Sequence, residues 1–400
     1  MRILDVSPRT SLHRGGSGTR TGNLLRHLGE RHDVRRFSQP RLRDFLARRP
    51  APGEWIHGSW RAAGIVETAE RTWVTAPVLA GVALRRTRPE KLRELLDWAD
   101  VTLVEFPWQV AHVARLEPTG PLVLASHNVE AQKFASYAVA ARAHMTRAPW
   151  LRYIAKMERG AVKRADLIIA VKEGDRNDFV ERYGVDPGKI VVAPNAADIE
   201  GLTPADLERR AAARRAFGLG PAPVAFYAGT DVPPNLRGLD WIRALAKVAE
   251  EVTFLVVGTV GGRPRREGNL VFTGPIDEIR LALDAADISL CPVEFGGGTK
   301  IKLLESLSAG VPTLAFEDSL LGLGLRDGEH LLLARRTRES LLEALRRLVN
   351  DRALRNRLGA AGRRYVAEHH DWRTSAAIVE AALQRVVLGG RPRDRVGVAV

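Results

Sequence analysis

The chain has 400 residues, 45% apolar and 27% charged, enough for two domains of ordinary size, each with its own core. No run of about eighteen apolar residues occurs and the start reads directly as a strand, so neither a membrane-spanning helix nor a signal peptide is expected, and a cytosolic protein is. The lone cysteine, Cys291, excludes an internal disulfide, and no Cys/His cluster has zinc spacing.

The net charge of +14 is unevenly placed. Residues 1–50 hold twelve Arg against four Asp or Glu, a net +8. Such a patch suits anionic lipid, nucleic acid or a phosphorylated substrate; the other reading is a general preference for Arg over Lys along the chain.

Met1 to Val6 forms the first expected strand. A long loop follows through Gly15-Gly16-Ser17-Gly18-Thr19, and Arg20 to Glu30 places Leu24, Leu25 and Leu28 on one helical face. A nicotinamide-binding fingerprint would need a tight Gly-x-Gly-x-x-Gly turn here. This loop is too long, and Thr21 stands at the third glycine. Asp33 to Phe37 begins a second strand. Trp55, Trp60 and Trp73 read as core residues, the alternative being a face turned toward an acceptor. Pro89 to Trp98 is helical, and Val101 to Phe106 and Pro121 to Ala125 are strands. The second of these ends in Ser126-His127-Asn128-Val129-Glu130. His127 therefore sits at the carboxyl end of a parallel strand, where open α/β sheets place ligands.

A basic helix, Trp150 to Arg164, precedes a buried strand over Ala165–Val171, and Lys189 to Asp198 closes the first domain. Leu202 to Gly220 is a polar connecting segment. Strands at Pro223–Gly229, Thr253–Gly258 and Asn269–Gly274 then alternate with helices, the pattern of a doubly wound α/β sheet. Thr313–Phe316 and Leu331–Ala334 are further strands, helices fill 338–388, and 389–400 is expected to be a disordered tail.

The most informative stretch runs Glu294-Phe295-Gly296-Gly297-Gly298-Thr299-Lys300-Ile301-Lys302-Leu303-Leu304-Glu305. Asp287 to Pro292 before it is a short strand; Ile301, Leu304, Leu307 and Ser308 after it repeat at helical spacing until Ala309-Gly310. Three glycines allow a ligand to approach the backbone, and a helix start offers unpaired N–H groups and partial positive charge. With Lys300 and Lys302 flanking it, this start suits a phosphate or diphosphate, and Glu305 could accept hydrogen bonds from sugar hydroxyls. Glycine-rich turns between strand and helix also occur in α/β proteins for purely structural reasons.

The full run resembles the signature of retaining, family-4-like glycosyltransferases of the GT-B fold. The similarity lies in Gly-Gly-Gly-Thr-Lys-x-Lys-x-x-Glu followed by Ala309-Gly310-Val311-Pro312. It implies two Rossmann-like, doubly wound domains facing a cleft: 1–200 on the acceptor side, 201–372 holding the donor, and 373–388 crossing back to the first. Pro194-Asn195-Ala196-Ala197-Asp198 is similar to the family's segment between the domains. By the same resemblance, Gly297, Gly298, Thr299, Lys300, Ile301 and Lys302 hold the donor's diphosphate and Glu305 meets the nucleotide ribose. Gly15 and Gly16 lie at the cleft mouth. His127 lines the cleft against the donor sugar, with Asn128 and Glu130 beside it, and His127 and Lys300 are the catalytic candidates.

Two departures stand out. The first Glu of the family's paired-glutamate motif would fall at Gly297, leaving Glu294 as a candidate substitute. After Gly229 and near Asn235, the family's phosphate-gripping Arg and Lys are replaced by Thr230 and, with one inserted residue, Arg237. The implied activity moves a hexosyl unit from a nucleotide-diphosphate sugar to an acceptor hydroxyl with retention, without a tightly bound cofactor. There is no Asp-x-Asp metal motif, and no metal is expected. The expected setting is cell-envelope, polysaccharide or glycolipid assembly, with a glycan, a lipid-linked molecule or a small molecule as acceptor. Peripheral contact with an anionic inner membrane face would use Arg35, Arg36, Arg41, Arg43, Arg48 and Arg49 around Phe37, Phe45 and Leu46. A phosphorylase or sugar-nucleotide epimerase on the same scaffold is the alternative enzyme. A nucleic-acid-binding protein is the more remote reading, because no basic stripe carries interleaved aromatics.

Overall fold

Short apolar strands alternating with amphipathic helices build two sheets in the computed structural model, which describes residues 1–9, 11, 15–39, 42–47, 50–71, 80–87, 89–140 and 148–389. The first sheet takes β1 (Arg2–Ser7), β2 (Asp33–Ser38), β3 (Glu54–Ile56), β4 (Val101–Glu105), β5 (Leu122–Ala125), β6 (Leu167–Ala170) and β7 (Ile190–Val192). They are parallel in the order β3-β2-β1-β4-β5-β6-β7. The second takes β8 (Val224–Ala228), β9 (Thr253–Val257), β10 (Arg265–Glu267), β11 (Leu270–Gly274), β12 (Ile288–Cys291), β13 (Thr313–Ala315) and β14 (Leu332–Leu333). Its order is β10-β11-β9-β8-β12-β13-β14, with β10 antiparallel to β11 and the remaining pairs parallel.

Helices cover both faces of each sheet, so strands such as β4 and β8 are buried at every residue and read as near-continuous apolar runs. In each sheet the winding reverses beside the first strand: between β1 and β4, and between β8 and β12. At such a reversal the loops leave in opposite directions and open a crevice at the carboxyl ends of the strands.

The helix Trp372–Leu388 belongs to the core of the first sheet. Trp372, Ala376, Val379 and Leu383 lie along one helical face and pack with Ile3, Leu24, Leu28, Val101 and Val123. Asp371 starts this helix by accepting the Arg373 N–H. The chain thus crosses between the sheets twice, and the crossings lie side by side, with Ala197 N–H donating to the His370 carbonyl at 2.9 Å.

Two expectations change. Trp60 is not a core residue; it stands 65% exposed at the start of the helix Trp60–Arg71, whereas Trp55 is packed against the first core and Trp73 lies outside the described residues. The basic patch is partly internal. β2 is covered by β3 on one edge and β1 on the other, so Arg36 is buried against Asp5 at 2.6 Å and Phe37 is in the core. Arg35 stacks 3.9 Å from the Trp98 ring. Arg36 therefore presents no charge to a surface, while Arg35 is half-exposed beside Asp33. Arg41, Arg48 and Arg49, the Arg43 side chain and the tail from residue 390 onward lie outside the described residues. No helix among the described residues is long and apolar enough to cross a membrane.

The Asp5–Arg36 pair predicts an asymmetric stability response. Asp5→Ala strands a buried guanidinium and should cost about 3–5 kcal/mol, whereas the apolar pair Asp5→Leu/Arg36→Met should cost much less. Urea denaturation midpoints of the two variants check this, and equal losses would show that the pair's charges are not what matters.

Candidate functional site

The site grows from the loop between β12 and the helix Ile301–Ser308. Gly296 and Gly298 have φ of 110° and 71°, a region that side chains resist. Space is equally restrictive. A Cβ on Gly297 would lie 2.9 Å from Asn128 Oδ1, and one on Gly298 2.8 Å from the same atom. The loop is pressed between Asn128 and Lys133 of the first sheet's layer and Pro234 of the second. The carboxyl ends of both sheets thus meet here.

Around the loop the cations are held in place. Lys300 Nζ curls back to donate to the carbonyls of Gly296, Gly297 and Gly298 at 3.3, 3.3 and 3.1 Å. Burial presses its ammonium down to about 8. Lys302 Nζ donates to Ala228 O and to Asn235 Oδ1, both at 2.9 Å, and lies 4.8 Å from the Tyr227 ring. Asn235 fills the space beside Gly229: a Cβ there would be 2.8 Å from its amide carbon. The half-buried Glu305 carboxyl, one turn into the helix, has no hydrogen-bond partner among the described residues, and desolvation pushes it up to about 7. A shielded carboxyl left unpaired beside an open loop is poised to meet a ligand.

Two expected contacts are used differently. Arg237 Nε donates to Glu294 at 3.3 Å, and Trp241 Nε1 donates to the other oxygen of Glu294 at 2.5 Å. Glu294 is thereby tied to the helix Pro233–Ala246 and Arg237 is partnered by it, so neither is a free counterpart for the missing glutamate or phosphate lysine. Lys302, reaching Asn235, occupies the position nearest the end of β8.

From the first sheet, the strand ends supply the opposite wall. His127 follows β5, and its Nε2 meets the Glu105 carboxylate in a short contact. Its ring stacks on Phe106, centroids 4.2 Å apart and planes at 22°. Phe106 holds φ of 67°, a strained value for a bulky residue, and this turn aims the ring at His127. Burial alone would raise the Glu105 carboxyl. Its partnership with His127 and the Arg36 and Arg20 guanidinium groups outweigh that and hold it below the ordinary carboxylate range. Glu130 is fully buried, pairing with Lys133 at 2.9 Å and accepting from Asn128 Nδ2 at 3.2 Å. Its expected place facing the cleft is corrected: it supports Asn128 and Lys133, which do face the glycine loop.

A hydrogen-bonded chain joins the two halves. Arg20 donates to Ala193 O at 2.8 Å and to Asn195 Oδ1 at 3.0 Å, and Asn195 Nδ2 donates to Thr299 Oγ1 at 2.7 Å. Burial lowers the Arg20 guanidinium to about 10. Gly15 caps the helix Gly16–Gly29 with φ of 136°, and a Cβ on Gly16 would rest 3.8 Å from Ile301 Cδ1, so two helix starts meet across the cleft. Sequence reasoning missed Arg20, Glu105 and Lys133. Glu105 ends a parallel strand, the same signal that singled out His127. Arg20 carries no such local signal, because its partners are 173 and 175 residues away.

Comparison with known proteins agrees with this architecture. The family model for Glycosyltransferase Family 4 matches residues 14–200, and that for Glycosyl transferases group 1 matches residues 222–351. D-inositol 3-phosphate glycosyltransferase of Streptomyces bingchenggensis is 29% identical over 312 residues, 71% of this chain and 66% of that protein. The matches span 59–66% of the lengths of this and the next two such relatives. Sucrose-phosphate synthase from Thermosynechococcus elongatus superposes with a TM-score of 0.72 at 16% identity, covering 97% of this chain and 100% of that one. Anabaena HepE in complex with UDP and glucose superposes with a TM-score of 0.69 at 15% identity, covering 96% and 100%. The two facing doubly wound sheets are the GT-B fold. Within it, the chain belongs to the family-4-like glycosyltransferases.

Asn195→Ala should leave Arg20 and Thr299 with unmet hydrogen-bonding groups at a buried junction. A loss of about 1–3 kcal/mol in folding stability is expected, read by chemical denaturation. A variant as stable as the parent would mean that water replaces the amide at no cost.

Proposed function

We propose that this protein transfers a hexosyl unit from a nucleotide-diphosphate sugar to an acceptor hydroxyl, with retention at the anomeric carbon. The observation that carries the reading is the unpaired Glu305 on a helix whose start, with its glycine loop, faces His127 across the cleft. Anion-binding N–H groups, cations and a free carboxyl then stand in the sequence diphosphate, ribose. The Streptomyces relative is named a D-inositol 3-phosphate glycosyltransferase and the HepE structure holds UDP and glucose, which supports a nucleotide-sugar donor and a polar acceptor.

In this mechanism the glycine-loop and helix N–H groups receive the diphosphate, with Lys300 and Lys302 behind them. Glu305 accepts from the ribose hydroxyls, and His127, oriented by Glu105, meets the hexose. The bond from the anomeric carbon to the diphosphate oxygen breaks as the bond from the acceptor oxygen forms on the same face. The acceptor's proton passes to the departing diphosphate oxygen, so no protein nucleophile is needed. Cationic side chains and N–H dipoles carry the developing charge in place of a metal, and the setting is the cytoplasm, in envelope, polysaccharide or glycolipid assembly.

Lys300→Ala removes a cation beneath the loop that receives the leaving group, so turnover with UDP-glucose or another competent donor should fall about 10²-fold. His127→Ala should depress transfer while leaving the Kd for free UDP unchanged. Calorimetry and a donor-hydrolysis assay separate the two, and full turnover in the Lys300 variant sinks the phosphate assignment.

The pH profile follows from the two shifted groups. Below about 7 the Glu305 carboxyl is protonated and accepts ribose hydroxyls poorly; above about 8 Lys300 loses its charge. A profile of kcat/KM rising through about 7 and falling above about 8 is expected. Glu305→Gln should erase the acid limb while weakening nucleotide binding. It should also raise the thermal midpoint of the free protein at alkaline pH, where the ionised carboxyl is half-buried without a partner. An unchanged acid limb in that variant would assign the titration elsewhere.

A further inference from the structure

Away from the glycine loop, a cavity of about 1150 Å³ opens at the carboxyl ends of β2 and β3, bounded by the helices Trp60–Arg71, Ala80–Thr87 and Glu90–Trp98. Its volume lies a little above the range of about 300–1,000 Å³ usual for small-ligand sites. It shares no lining residue with the site described above. A physical link nevertheless connects them. Glu54 of β3 accepts from the Ser11 N–H at 2.9 Å and from the Ser11 hydroxyl at 2.5 Å, tying the cavity's strand to the loop that borders the cleft mouth.

Two kinds of group line this cavity. Trp60 presents an indole that is 65% exposed, and Trp55 contributes a second, half-buried one. A large aromatic face left to water at the rim of a concavity is ready to cover an apolar ring face. The second kind is cationic. Arg61 and Arg86 line the cavity and have no carboxylate partner among the described residues, while Lys91 is paired with Glu94. Arg61 lies 5.6 Å from the Trp60 ring, so cation and indole are adjacent. Polar groups complete the wall. The buried His57 is fixed to the Thr87 hydroxyl at 2.6 Å, and the exposed Glu90 lines the same cavity.

We propose that this cavity binds an acidic saccharide. A pyranose ring stacks on Trp60 at the rim, above the floor that Trp55 contributes; its carboxylate or phosphate is taken by Arg61 and Arg86, and its hydroxyls meet Glu90 and Thr87. An alkyl chain would fit this wall poorly, because the indoles are interspersed with arginines and hydroxyl-bonding groups. The proposal rests on the glycosyltransferase reading in one respect: it makes the cavity a subsite for the distal part of an acidic acceptor, linked to the cleft through Ser11 and Glu54.

The test uses the full chain with glucose 6-phosphate, a uronate-containing hyaluronan tetrasaccharide and neutral maltotetraose as probes. Binding is read by tryptophan fluorescence and by saturation-transfer NMR. At least one acidic probe should bind saturably and more tightly than maltotetraose. Trp60→Ala should weaken it about 10-fold or more, and Arg61→Gln/Arg86→Gln should remove the preference for acid; as all three side chains are on the surface, the variants should fold. Inorganic phosphate alone should not displace the tetrasaccharide. UDP-glucose hydrolysis should be unchanged in both variants, so a protein that binds acidic saccharides at Trp60 but never engages UDP-glucose would lose the donor reading and keep this one. Absence of saturable binding by both acidic probes overturns the proposal, as does full affinity in Trp60→Ala. Binding of anionic vesicles through Trp60 with no saccharide binding overturns it too, making the patch a membrane contact.

Discussion

The buried chain Arg20–Asn195–Thr299 is the constraint on which the arrangement of the two halves depends. Arg20 is fully enclosed, and a guanidinium in such a place stays only if its donors are met. Its partners are the carbonyl of Ala193 and the amide of Asn195, both on the segment leaving the first sheet. Asn195 passes the connection to Thr299, the last residue of the glycine loop before the helix cap at Lys300. One cation therefore fixes the first helix, the connecting segment and the ligand loop with respect to one another. Removing Asn195 leaves both Arg20 and Thr299 with an unmet hydrogen bond, whereas removing either end leaves Asn195 with one.

That constraint explains the departure at Gly297. With the loop anchored at Thr299, its backbone lies against Asn128, and any side chain at 297 or 298 would meet the Asn128 amide inside van der Waals distance. A glutamate at 297 has no room unless Asn128 retreats, and Asn128 is held by Glu130, which is held in turn by Lys133. Glu158 secures the start of the same helix by accepting the N–H groups of Glu130 and Ala131. The buried carboxylate at 130 thus holds the Asn128 amide in place against the glycines. Glu294 follows from the same geometry. Lying before the loop's tight turn, it faces the helix Pro233–Ala246 and finds Trp241 and Arg237.

Much of this was legible in the sequence, and what was not shares a physical cause. Strand ends carrying His127, the glycine run and the helical spacing of Ile301, Leu304 and Leu307 are local signals. The alternation of strand and helix led to two doubly wound sheets for the same reason. Partnerships such as His127 with Glu105, Lys302 with Ala228 and Asn235, or Arg20 with Asn195 join positions 22 to 175 residues apart, and one sequence contains no trace of them. Net charge misled where topology intervened. Arg36 counted toward a basic surface, yet its strand is internal and its charge is answered by Asp5. Trp60 misled in the opposite sense, because an aromatic in a helix is assumed to face inward, and its face is decided by where Ala62 and Ala63 pack.

The two chain crossings give the architecture its remaining property. Ala197 and His370 lie side by side, joined by a backbone hydrogen bond, and His370 Nδ1 faces the Asn195 carbonyl at 3.1 Å. The last helix is then committed to the first core by Trp372 and its neighbours. The segment from Ala193 to Ala197 is therefore held from three sides: by Arg20 of the first helix, by Thr299 of the ligand loop and by the returning chain at His370. A displacement of any one of these is felt at the same short stretch of backbone, so the paired crossing and the ligand loop belong to one junction and not to two.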